Sequence, residues 1–327
     1  MVCESKKSVH ESNSHSVALW RLGVMAGRAQ AAIACVTAMF FCLAVPVRIS
    51  GVDSAPQEST RPKIILLDEP EQGFFSKVLD FNGIPIKAHA VVSDEALYAA
   101  YDRLALMFSN LIPNQPAVLS NLLDARVALH IIGRTQVTTD LPEWRHDKGK
   151  PLAEYGGLTR DQRTRGMGGR LTSCGEENLL RLPEDRYYGR DICLHEFAHC
   201  LRNFGLPKDV RALFDAQYNR SLGKGLWKGS YAGSNPDEFF AELTMWYFGT
   251  HGDLGMAAPK PEPGPDGLKK YDPEAYALFD DFYSGRIYIG RIEPNARRRN
   301  SDPGNSRTNR NTRSQLETRR RASGAGS

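Results

Sequence analysis

The sequence predicts an α+β domain, with strands in its first half and helices filling its second. Three observations carry this. Two apolar strand-like runs, Ile84 to Val92 (IPIKAHAVV) and Ala125 to Ile132 (ARVALHII), stand on either side of a helical segment. A third stretch, Arg170 to Leu182 (RLTSCGEENLLRL), reads as extended in part. Beyond it the chain shows helix starts and helical periods.

The ends of the chain differ from its middle. Residues 1–55 form a basic leader with Lys6, Lys7, Arg21 and Arg28, and its run from Ala29 to Val47 carries no charge. Residues 29–47 are long enough to span a bilayer, and they also read as the apolar core of a secretory signal. Asp53-Ser54-Ala55 makes a poor cleavage site, because a charge stands where a small residue is wanted. Export is therefore expected, with the protein either secreted or anchored to the membrane by an uncleaved leader. Residues 296–327 hold nine Arg against Asp302 and Glu317, a net +7 that leaves −3 for the rest of a chain of net charge +4. So polar a tail cannot offset its ordering entropy and is expected to be disordered. It has no aromatic residue to stack on bases, and no nucleic-acid partner is expected. The folded domain is placed at 56–295, with ordered structure from near Lys63.

The elements follow in order. Ser93-Asp94-Glu95 starts a helix running to about Asn110, between the first two strands. Residues 135–165 are charged and loop-like. Helices are expected over 191–201, over Pro207 to Leu222, from Asn235-Pro236 to about Phe248, and from Asp272-Pro273 to about Ser284. Residues 257–268, rich in Pro and Gly, are expected to be loop. Three cysteines fall in the body. Cys193 and Cys200 are two helical turns apart, too far to bond, which leaves Cys174 bonded to either of them or three free thiols.

The chemistry centres on DICLHEFAHCL, residues 191–201. Its His195-Glu196-Phe197-Ala198-His199 is an H-E-x-x-H pattern, which puts two imidazoles one turn apart on one helix face. That spacing suits a tetrahedral zinc ion, with Glu196 beside it to take a proton from water. Asp191 can cap the helix, and Gly205 with Pro207 stops it. The neighbours Ile192, Leu194, Phe197 and Leu201 mark the helix as buried, where unpartnered histidines and a glutamate are costly.

A catalytic zinc takes three protein ligands and an open position. The extended pattern with a third histidine fails, because position 205 is Gly205. Glu238 and Glu242, one turn apart in NPDEFFAELTMWYF, are the candidates: one as ligand, the other holding a ligand histidine by a hydrogen bond. Glu238, 39 residues after His199, is the favoured ligand.

HEFAH with the later EFFAE resembles the gluzincin metallopeptidases, and within them the catalytic domain of the anthrax lethal factor family. Tyr231 stands seven residues before Glu238 in SYAGSNPDEFFAE, as a tyrosine does in that family. RGMGGRLTSCGEENLL is similar to the strand segment that precedes the metal helix in secreted relatives. The resemblance covers residues 165–250 well and 63–164 weakly. It implies a zincin-like fold, with a small mixed sheet, an edge strand beside the H-E-x-x-H helix and a mainly helical C-terminal lobe. It implies one zinc on His195, His199 and Glu238, with Glu242 behind the ligands and Tyr231 donating to the developing oxyanion. The expected activity is zinc-dependent endopeptidase hydrolysis of a polypeptide substrate, with Glu196 as general base. The segment from Gly168 to Glu177 is expected at the cleft edge, where substrate adds as a strand. The alternative is a non-catalytic zinc domain that binds an extracytoplasmic polypeptide or wall component.

Overall fold

A computed structural model describes residues 61–251, 256 and 259–293. The leader, with its apolar run at 29–47, and the Arg-rich tail lie outside the described residues. Among the described residues no helix is long and apolar enough to cross a membrane.

Five strands form one mixed sheet in the order β1 (Ile65–Glu71), β2 (Phe75–Phe81), β3 (Ile84–Ala88), β4 (Ala128–Ile132) and β5 (Leu171–Gly175). The first three are an antiparallel meander, and β3, β4 and β5 run parallel. The β1–β2 hairpin is an addition to the sequence expectation. Its turn at Gln72-Gly73 and the next at Asn82-Gly83 have positive φ at both central residues (55° and 65°, then 50° and 89°). Such turns match the twist of the strands they join.

A parallel step from β3 to β4 needs a crossover. It is made by α1 (Asp94–Phe108), α2 (Leu111–Asn114) and α3 (Pro116–Asp124). The first strand expected from the sequence stops at Ala88 rather than Val92, because the Val92 N–H turns back to the His89 carbonyl at 3.1 Å. Ser93 then caps α1 by accepting the Ala96 N–H. Residues 135–165 form short 3-10 turns and α4 (Arg160–Arg163), fastened by an Arg160–Asp147 ion pair at 2.6 Å.

The extended stretch ends at Gly175, and α5 (Glu176–Leu179) follows at once. The rest is helical: α6 (Ile192–Cys200) with a π turn at Leu201–Gly205, α7 (Lys208–Gly223), α8 (Pro236–Tyr247), α9 (Gly264–Tyr271) and α10 (Pro273–Tyr283). Helix α9 corrects the loop expected over 257–268. Its Gly264-Pro265 pair, read as a breaker, is the helix start, and Leu268 is buried beneath it.

One apolar core runs from the sheet (Ile86, Leu129) through Phe197 of α6 to Phe214, Phe239 and Phe279 of the later helices. Helix α6 packs on β5 on one side and on α8 on the other, which sets the strand edge, the histidines and the glutamates around one point. Cys174, Cys193 and Cys200 are buried free thiols, those of Cys174 and Cys193 in hydrogen-bond contact, and no disulfide joins them.

Candidate metal centre and cleft

The first turn of α6 is held by two acceptors. Asp191 Oδ1 takes the Leu194 N–H at 3.0 Å, and Asn178 Oδ1 takes the Ile192 N–H at 2.9 Å. These satisfy N–H groups that a helix start otherwise leaves unpaired. Arg103 and Arg181 pair with the far oxygen of Asp191, so the cap is itself fixed. The histidines are thus carried on a helix whose origin cannot drift. Position 205 is buried: a Cβ on Gly205 would lie 2.9 Å from Leu201 Cδ1, so a side chain there would have to displace that methyl group.

The six candidate side chains converge. His195 Nε2 and His199 Nε2 lie 3.2 Å apart, and Glu238 Oε2 lies 3.2 Å from the first and 3.4 Å from the second. In a tetrahedral site with bonds of 2.0–2.2 Å, neighbouring ligand atoms are about 3.3–3.6 Å apart. The triangle therefore fits a metal ion of that size. Glu238 Oε2 is buried and has no hydrogen bond of acceptable geometry, as a carboxylate oxygen reserved for a cation would be. His195, Glu196 and His199 also form a group able to hold an ion, their ligating atoms all within 4.8 Å of one another. The second geometry puts Glu196 against the ion. The tighter triangle leaves it free, and Oε2 of Glu238 is otherwise unexplained, so the triangle is the better donor set.

Burial opposes a charge on His195, but the carboxylates of Glu238 and Glu242 outweigh it and carry its pKa from 6.5 to about 10. The same pairing overcomes burial at Glu238 and holds it down at about 2. A metal ion bound here would take the place of a proton.

Behind His195 sits Glu242. Its Oε1 lies 3.2 Å from His195 Nδ1, off the line of a straight hydrogen bond, and it ion-pairs with buried Arg190. Its Oε2 is 2.8 Å from His251 Nε2. Burial lowers the His251 pKa, so the neutral ring donates from Nε2, and it stacks on Trp246 with centroids 3.4 Å apart. Arg190 and His251 escaped the sequence reading. Arg190 stands next to the cap residue with no pattern to mark it, and His251 is a lone histidine beyond the end of α8.

In front of the triangle, the Tyr231 hydroxyl donates to Glu238 Oε1 at 3.2 Å. Burial and the nearby carboxylates raise its pKa, which keeps it a proton donor. Glu196 lies beside the histidines, and its pKa is raised, chiefly by burial. It is pressed against the segment before β5, residues 166–168, which runs past α6. A Cβ on Gly166 would lie 2.5 Å from Ile192 Cγ2, and one on Gly168 would lie 2.9 Å from His199 Cβ. Only glycine allows this approach.

The site opens into a cleft of about 660 Å³, which Arg163, Arg186, Tyr155 and Tyr187 also line. The expectation of strand addition along Gly168 to Glu177 is corrected at the middle of β5. Met167 and Ser173 exchange backbone hydrogen bonds of 3.0 and 2.9 Å, so the outer edge of Ser173 is occupied by the chain itself. One residue before Met167, the Thr164 hydroxyl takes up both the N–H and the C=O of Gly166.

The chain matches no protein-family model, and no curated protein is significantly similar to it.

Proposed function

We propose that the chain is a zinc-dependent endopeptidase of zincin-like fold and gluzincin type. The observation that carries this is the triangle of His195, His199 and Glu238 donors, with Glu196 to one side and the Tyr231 hydroxyl in front. The mixed sheet with β5 beside α6 and the helices after it support the fold assignment. The resemblance of HEFAH and EFFAE to the lethal factor family supports the type.

His195, His199 and Glu238 would hold the ion. When bound, zinc lowers the pKa of a coordinated water to about 7 and polarises a carbonyl. Glu196 takes the proton of the attacking water and passes it to the leaving amine, a task suited to a carboxylate whose pKa is raised by burial. Tyr231 donates its O–H to the carbonyl oxygen as charge builds there. Glu242 fixes the ring of His195 from behind, and Arg190 and His251 fix Glu242.

Metal content and cleavage test this together. The parent protein is expected to hold about one zinc per chain, and His199→Ala little. Glu196→Gln is expected to keep the zinc and lose about 10²–10⁴-fold in peptide cleavage. A well-folded parent without zinc, or full cleavage by Glu196→Gln, would remove the peptidase reading and leave a binding role.

A further inference from the structure

We propose that the cleft selects polypeptides with acidic side chains beside the scissile bond, read by Arg163 and Arg186; this rests on the peptidase reading above. Among the residues lining the cleft, the only carboxylates are Glu196 and Glu238, and both are committed to the reaction centre. The three arginines there are not equivalent. Arg190 is buried and already ion-paired with Glu242, with its guanidinium 5.8 Å from the Tyr231 ring centre. Arg163 and Arg186 are exposed, and among the described residues neither has a carboxylate partner. A divalent ion with Glu196 and Glu238 is neutral, so these two guanidinium groups leave the cleft cationic. The chain outside its tail is net acidic, which makes that local sign distinctive.

Both arginines are positioned for this. Arg186 lies 5.4 Å from the ring centre of Tyr187 and donates to the Gln162 carbonyl at 3.3 Å, which steadies its planar fork while leaving other N–H groups free. Arg163 lines the same cleft as Glu196, Tyr231 and Glu238, so its guanidinium shares the space a substrate would enter. The strand edge at Ser173 and Gly166 is used internally, so recognition passes from the substrate backbone to its side chains. Carboxylates are the side chains that a guanidinium fork binds in pairs of parallel hydrogen bonds.

The test uses the full-length, zinc-loaded Glu196→Gln variant and three pools of degenerate fluorescent decapeptides, identical except for a central Glu, Gln or Lys pair. Anisotropy is expected to show the Glu pool binding about tenfold tighter than the Gln pool, with the Lys pool weakest. Adding Arg163→Gln and Arg186→Gln, with zinc content and circular dichroism unchanged, is expected to bring the Glu and Gln pools within about twofold. Equal binding of the pools, no binding of any pool, a preference that survives the double substitution, or displacement of the Glu pool by polyphosphate at equal charge would each overturn the proposal. The wild-type chain separates the two readings. Cleavage next to acidic residues supports both, whereas tight acidic binding without cleavage keeps the recognition and removes the peptidase.

Discussion

The floor of the cleft and its rim are built on opposite terms. On the floor the buried charges are paired: Glu242 with Arg190 and His251, Asp191 with Arg103 and Arg181. On the rim, Arg163 and Arg186 are exposed and have no carboxylate partner among the described residues; just past Tyr187 of the lining, Tyr188 is 75% exposed with a φ of 52°. A buried charge without a partner is costly, so the floor is forced into a closed network whose geometry is held in advance. An exposed arginine loses little by standing alone, so the rim can keep its charges for a ligand. Under the proposed peptidase reading, the contrast would give chemistry to the floor and selection to the rim.

The sharpest way to break the contrast is to alter the floor where it meets the substrate. Tyr231→Phe is expected to lower kcat by about 10²-fold with little change in KM, measured in steady-state peptide hydrolysis. An unchanged kcat would place Tyr231 outside the chemistry. One layer back, Glu242→Gln is expected to weaken zinc binding by about 10–100-fold in a chelator competition, and to lower Tm because Arg190 loses its buried counter-charge. Unaltered zinc affinity would detach Glu242 from the ligands.

The metal-free floor should also show its pairing in the pH dependence of Tm. Glu238 is depressed from 4.5 to about 2, so its contribution is complete above pH 4.5 and fades as pH falls towards 2. His195 is raised from 6.5 to about 10, so its contribution is complete below pH 6.5 and fades as pH climbs towards 10. Metal-free protein is therefore expected to be most stable between pH 4.5 and 6.5, and a Tm rising steadily from pH 6.5 to 9 would contradict the pairing. The smallest effect belongs to the exposed turn just beyond Tyr187 of the rim. Tyr188→Gly relieves a left-handed backbone and is expected to raise stability by about 1 kcal/mol in urea unfolding, with zinc affinity untouched. A loss of stability would show that the exposed ring carries packing.

The floor was the more legible of the two in the sequence. Two histidines at i and i+4, an Asp cap, and two glutamates after Asn235-Pro236 are local signals, and helix geometry carries them into space. What escaped depends on tertiary proximity. Arg190 finds Glu242 across 52 residues, and nothing near it in the chain marks the encounter. Residues 63–83 were hidden for another reason: most of β1 is exposed on both faces, so ILLDEPE lacks the alternation by which a strand is recognised. The Asn82-Gly83 turn and the start of α3 at Pro116 carry local signals that the sequence reading left unused, and α9 was masked by the Pro and Gly residues that begin it. The rim is legible only as a list of arginines until folding shows which of them remain unpaired.

Gly166 and Gly168 offer the site no functional group, yet they fix where the segment before β5 can lie against α6. In hereditary terms this makes them brittle. Every amino-acid substitution of glycine adds side-chain atoms, and at these two positions there is no smaller residue to retreat to. A lineage can vary the charges of the rim one at a time and so change what is selected. It cannot thicken this segment without moving Ile192 or His199, so under the proposed reading specificity would be free to diverge while these two spaces stay bare.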